Sequence, residues 1–283
     1  MKKKIFALFL TLALFAALLP MAISAEENDS SAESITVTVN IINDKPVLAA
    51  EKITATDVDD DGIITVNDVL YCAHEQKYTG GAAAGYASSL SPYGMSLDKL
   101  WGDTSGAFGY YLNNASPQSL LDTVVGGDTV SAFVYQDTLG WSDAYSYFDK
   151  TTATLTEGDS LLLSLSYLVL DYETWATTAM PAEGAIITVD GNDTEITVNM
   201  DGTAMIPFDA PGTYLVSARS DLNIVAPVCV VTVEEAPTVP PTTGSMVSKD
   251  PQPYGGMIAI CAAIICAATA VAVSASHKNS KKK

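Results

Sequence analysis

Carboxylates stand at Asp57, Asp59, Asp61 and Asp68, which are positions 1, 3, 5 and 12 of the stretch D-V-D-D-D-G-I-I-T-V-N-D. A hard cation such as calcium takes six to eight oxygens. A twelve-residue loop can supply them from positions 1, 3, 5, 7, 9 and 12, with glycine at position 6 for the sharp turn. Here the remaining positions are filled by the backbone carbonyl of Ile63, by Thr65 (directly or through water) and by Gly62 at the turn. An acidic surface turn would explain the charge alone. It would not explain the glycine or the last aspartate at its offset. The expected ligand set for Ca2+ is therefore Asp57, Asp59, Asp61, Ile63, Thr65 and Asp68.

The loop must be held by what flanks it. Ile35 to Ile42 alternates as a strand, and Lys45 to Ala55 reads as a second. After the loop, Val69, Leu70, Ala73 and Lys77 fall at helical spacing, with Asp68 near the helix N-terminus, where its charge suits the dipole. Gly80 and Gly81 end the helix, and Gly81 to Pro92 reads as a small-residue loop. The expectation is a strand–loop–helix site. Asp57–Asp68 resembles the calcium loop of EF-hands, and aspartate at position 12 resembles the dockerin version. A dockerin has two such repeats and this chain has one.

Both ends of the chain read as addresses. Residues 1–25 combine Lys2, Lys3 and Lys4 with an apolar run from Ile5 to Leu19 and small residues through Ala25, the pattern of a secretory signal peptide. Residues 257–276 are uncharged and long enough to span a bilayer. His277 and four lysines fill the tail 277–283, which the positive-inside rule keeps in the cytoplasm. The stalk 236–256 is rich in proline and threonine. Its Pro240-Pro241-Thr242-Thr243-Gly244 resembles the sorting signal of Gram-positive cell-wall proteins, although Pro240 stands where leucine is usual. The resemblance implies a sortase that cuts between Thr243 and Gly244. A permanent membrane anchor on a polar spacer is the other reading.

Charge fits an exterior placement. All 33 acidic residues lie between the two address segments, against seven basic ones, so that region carries about −26. Such a surface repels nucleic acid and anionic lipid. Cys72 and Cys229 are the ectodomain cysteines; a disulfide between them is possible outside the cell, but two buried thiols suit the composition better. No placed histidine base, nucleophile elbow or phosphate loop stands out, so no enzyme is expected. His74 is the ectodomain's single histidine.

After a flexible start at 26–34, two textures follow. Residues 35–150 hold nine of the 13 tyrosines. Thr65 to Leu70 (T-V-N-D-V-L), Leu100 to Gly102 (L-W-G) and Phe108 to Asn114 (F-G-Y-Y-L-N-N) resemble the transcobalamin-like C-terminal domain of bacterial surface proteins. That resemblance implies an α+β first domain with a small-ligand site for a corrinoid, a glycan or a protein partner, with the calcium loop inserted ahead of the family's helix. Trp101, Tyr110, Tyr111 and Trp141 are the candidates for ligand contact, since aromatics recur at recognition surfaces. Residues 151–235 carry short strands separated by Asp-Gly, Gly-Asn-Asp and Ala-Pro-Gly turns, which argues an all-β, immunoglobulin-like sandwich. The leading expectation is an envelope-anchored, calcium-binding ligand module. The alternative is a structural or adhesive protein whose domains act as spacers.

Overall fold

The computed structural model describes residues 34–92, 94–171, 173–174 and 176–237. Residues 1–33 and 238–283, which hold the expected signal peptide, nearly all of the expected flexible start and stalk, Thr243 and Gly244, the apolar segment 257–276 and the basic tail, lie outside the described residues. Among those described, no helix is long and apolar enough to cross a membrane.

The described chain is mostly β-sheet. Its first half builds a four-stranded sheet from β1 (Ile35–Asn43), β2 (Lys45–Ala55), β5 (Phe108–Leu112) and β6 (Thr129–Val134), in the order β2-β1-β6-β5. β1 and β2 form a hairpin through Asp44, whose φ of 62° is one that aspartate tolerates. β1 then pairs parallel with β6, and β5 returns antiparallel on the outer side. β1 is buried on both faces, as parallel central strands are. Val37, Val39 and Ile41 enter one core, while Thr38, Asn40 and Ile42 point the other way. The buried polar pair is satisfied: Asn40 Nδ2 donates to Ser131 Oγ, and Lys52 Nζ to Thr38 Oγ1.

Helix α1 (Val66–Lys77) covers the first face with Val66, Val69, Leu70 and Ala73. Its last turn also protects a sheet edge. The Gln76 side-chain amide donates to the Thr54 carbonyl and accepts from the Thr54 N–H, as a neighbouring strand would. Where a loop was expected over Gly81 to Pro92, the chain instead makes a short helix α2 (Gly81–Gly85) and a hairpin of β3 (Ala87–Ser91) with β4 (Gly94–Lys99).

The second half is a sandwich. β9 (Ser160–Leu170) pairs with β10 (Thr177–Pro181), β13 (Thr203–Pro207) and the short β7 (Ser146–Phe148). The facing sheet runs β12 (Asn192–Thr197), β11 (Ile186–Val189), β14 (Gly212–Arg219), β15 (Cys229–Glu234) and β8 (Thr152–Thr156), the last pair parallel. Leu163, Leu165, Ile187, Ile206, Val216 and Val231 fill the space between. This strand order is immunoglobulin-like. Tyr214 supports that reading: its hydroxyl donates to the Ala210 carbonyl at 3.0 Å, the tyrosine corner of such sandwiches. Val216, two residues on, is fully buried where a disulfide-bonded relative would place cysteine. Cys72 and Cys229 are separate buried thiols, and burial pushes the Cys229 thiol up to about 12.

A third core joins the halves. Ile42 and Phe133 from the first sheet pack with Tyr145, Val225 and Val228. Ser146 Oγ donates to the Val225 carbonyl at 2.6 Å, and the Tyr145 hydroxyl to Asn114 Oδ1 at 2.8 Å. The segment between β14 and β15 is thus spent on the joint.

Candidate metal centre

The acidic loop leaves β2 and returns through α1, and both ends are pinned. On the exit side the Val124 N–H donates to the Ile64 carbonyl, and the Val66 N–H to the Asp122 carbonyl. On the approach side the Val58 N–H donates to Asp68 Oδ1. What remains is the tip, in which Asp57 is half-buried and Val58 to Ile63 are exposed. Two left-handed residues bend it, Asp60 at φ 58° and Gly62 at φ 91°. At Gly62 the backbone angle is what calls for glycine.

The tip brings Asp57, Asp59 and Asp61 together, with carboxylate oxygens within 4.8 Å of one another. Asp57 accepts from the Gly62 N–H at 2.7 Å and the Asp61 N–H at 3.2 Å. The Gly62 bond above all holds its carboxyl below the usual range. Asp59 moves the other way. Partial loss of hydration, then the negative charge of Asp61, Asp68 and Asp57, pushes it up. Three carboxylates therefore face one another, and none of them appears in the ion pairs among the described residues.

The other three sequence candidates stand differently. Thr65 is the helix N-cap: its hydroxyl accepts from the Asp68 N–H and donates to Asp68 Oδ2 at 2.6 Å. Asp68 is fully buried and also accepts from the Thr65 N–H at 2.8 Å, completing a reciprocal capping box. Ile63 is exposed, and its N–H donates to Asp61 Oδ1. The spacing that suits a cation loop at positions 9 and 12 is thus also the spacing of a helix cap. The residues fit a hard cation at the Asp57–Asp59–Asp61 end. Thr65 and Asp68 are engaged in the cap.

The four aromatic candidates do not converge on one face. Trp101 packs against His74 and Tyr78, with ring centroids 5.2 and 5.1 Å away. Tyr110 and Tyr111 alternate across β5: Tyr110 packs on the first core and Tyr111 on the joint. Tyr111 stacks on Tyr145 at 3.9 Å, and burial raises its hydroxyl to about 12. Trp141 alone is exposed, at 58 %, and stacks on Tyr135. Tyr135 was missed in the sequence because nothing there places it beside Trp141. A separate polar cleft of about 380 Å³ lies at the joint, lined by Asn113, Asn114, Thr129, Asp149, Lys150 and Thr151 among others.

No protein-family model matches the chain, and no curated protein matches it either. Several solved structures do. An immunoglobulin complex of titin with obscurin-like 1 is 14% identical, covering 34% of this chain and 99% of that one, with a TM-score of 0.22. The teleost fish polymeric immunoglobulin receptor ectodomain is 12% identical, covering 49% and 67%, with a TM-score of 0.20. Tandem immunoglobulin repeats of Dlar are 13% identical, covering 53% and 75%, with a TM-score of 0.24. Scores this low carry no argument. The immunoglobulin-like assignment rests on the strand order and on Tyr214.

Proposed function

We propose that the protein is a surface-displayed recognition module, stiffened by one calcium ion and without catalytic machinery. The observation that carries the calcium reading is the convergence of Asp57, Asp59 and Asp61, none of which has an ion-pair partner among the described residues. Calcium would be held by those three carboxylates and the Ile63 carbonyl, with Asp68 and Thr65 tying the ion's loop to α1. The ion would supply positive charge to a loop whose own charges repel. His74 is not free to act as a base. It is buried, with both ring nitrogens occupied by backbone groups.

The first half, a mixed sheet bearing a helix, is read as an α+β module in keeping with the transcobalamin-like motifs. Leu100, Gly102 and Gly109 of those motifs have packing roles. Leu100 is fully buried, and Gly102 and Gly109 lie against Tyr78 and Phe133. The ligand is a small molecule or a surface partner, and the second half is its mount. Export through the signal segment and retention through Thr243 by a sortase, or through residues 257–276, would place it on a Gram-positive envelope. Recovery from the cell-wall fraction, without the basic tail, separates covalent attachment from recovery by detergent with the tail intact.

A second reading, a structural or adhesive spacer, draws on the joint. A third hydrophobic core between halves gives stiffness that a tethered binding domain does not need. Titration of the chain with cobalamin, oligosaccharides and calcium tests the first reading. A chain that takes calcium and no ligand supports the second.

A further inference from the structure

One end of the aromatic column at the joint reaches solvent. Tyr145 stacks on Tyr111, Phe133 lies against Tyr145 and Tyr135, and Tyr135 stacks on Trp141 with planes 19° apart. The buried end is structural. The outer end is a large flat ring, 58 % exposed. Its backbone is held at φ 52°, an unusual conformation for a bulky residue. The fold maintains it with several bonds. The Trp141 N–H donates to the Asp137 carbonyl and its Nε1 to the Thr138 carbonyl at 3.0 Å. Asp137 Oδ1 accepts from the Gly140 N–H at 2.8 Å, and its own N–H donates to Asp143 Oδ2. An outlier so fully braced, presenting a ring outward, is a candidate for use rather than packing.

We propose that Trp141 is a stacking platform for a pyranose ring, so that the ligand of this module is a carbohydrate. This inference rests on the recognition-module reading above. An indole carries negative charge on its face, and the C–H face of a sugar ring meets it with positive edges. The sugar's hydroxyls would find polar groups on the same loop, in Thr138, Ser142 and Asp143, although Ser142 Oγ already donates to Asp137 Oδ2 and Asp143 Oδ2 already accepts from the Asp137 N–H.

The loop's chemistry disfavours the other occupants. Leu139, 97 % exposed beside Trp141, would by itself suit a membrane or an apolar protein surface. Either would desolvate the carboxylates of Asp137 and Asp143, which are hydrogen-bonded but have no ion-pair partner among the described residues, and burying a charge without an opposite charge is costly. Residues 136–149 contain no lysine or arginine to meet anionic headgroups.

The test uses the purified full chain in a detergent without a sugar headgroup, titrated with hexamers of β-1,4-linked glucose, of N-acetylglucosamine and of α-1,4-linked glucose. Binding is read by tryptophan fluorescence and saturation-transfer NMR. At least one hexamer should bind. Trp141→Ala should weaken it roughly tenfold and Trp141→Phe less, at unchanged melting temperature. Leu139→Ala should change little. Sugar affinity indifferent to Trp141→Ala overturns the platform and leaves the recognition reading standing. Should the alanine variant unfold, the phenylalanine variant decides: an affinity equal to wild type overturns the proposal. Binding of no hexamer also overturns it, and the cobalamin titration then decides whether the broader reading survives. Cosedimentation with phosphatidylcholine vesicles, or self-association, abolished by Leu139→Ala would assign the loop to apolar contact instead.

Discussion

The backbone N–H of Trp101 donates to Nε2 of His74 at 2.9 Å, while Nδ1 of the same ring lies 2.6 Å from the Leu70 carbonyl. Nε2 is therefore an acceptor and Nδ1 carries the proton, which fixes a neutral imidazole in the first core. Trp101 sits at φ 51° to make this bond, so its ring is committed to the core beside Tyr78.

Burial lowers the His74 pKa from its ordinary 6.5. The unfolded chain therefore binds a proton that the folded chain refuses, and stability falls as the pH drops below about 6.5. The melting temperature should decline from pH 7.5 towards 5.5. His74→Gln should start lower, by about 1–3 kcal/mol for the disturbed bonds, and should flatten that decline. A wild-type profile that is level across the window would contradict this.

Gly109 stands opposite Phe133 in the β5–β6 pairing, and a Cβ there would meet the ring's Cζ. The glycine lets the ring lie over the strand, as aromatics do when they cover a sheet glycine. Gly109→Ala should cost about 1–3 kcal/mol by overpacking, measured by denaturant unfolding. Gly106→Ala is a useful contrast, because open space surrounds that position and only its φ of 78° opposes the change.

Asp68 serves the helix cap with or without metal. Its replacement by alanine strips acceptors from the Val58 N–H, the Thr65 N–H and the Thr65 hydroxyl. The loss should be about 1–3 kcal/mol in chelator, against about 1 kcal/mol for Thr65→Ala. Asp59→Ala, at the exposed tip, should leave stability in chelator unchanged or slightly raised, since it removes repulsion. Calorimetry of the three variants in chelator separates cap from cation site.

Tyr145 ties the halves through stacking on Tyr111 and its bond to Asn114. Wild type should melt in one transition. Tyr145→Ala should cost about 3–5 kcal/mol at the joint and split the transition in two. A single unshifted transition would show that the joint carries no coupling.

The legible parts of this chain were those written in local pattern. The strand–loop–helix order around Asp57–Asp68 followed from spacing, and most strands of the second half from alternation between turns. β7, β8 and β10 were missed because Ser-Tyr-Phe, Thr-Ala-Thr-Leu-Thr and Thr-Thr-Ala-Met-Pro are too short to show a period. The β3–β4 hairpin was missed because small residues read as loop. The joint was invisible for another reason: Ser146 and Val225 meet across 79 positions, and only the fold brings them together. The aromatic residues were visible, but whether each is core or surface depends on what lands on it. Tyr111 is covered by Tyr145, whereas Trp141 is left open.

Calcium titration of the purified chain by isothermal calorimetry, paired with melting in calcium and in chelator, tests the central claim most directly. The account predicts one ion per chain, with a Kd on the order of 10⁻⁴–10⁻³ M. A hundredfold excess over Kd should stabilise by about 2.7 kcal/mol and raise the melting temperature by roughly 5–10 °C. Asp59→Asn should weaken both effects together. No heat of binding at millimolar calcium, or a melting temperature indifferent to chelator, would reduce Asp57, Asp59 and Asp61 to an acidic turn.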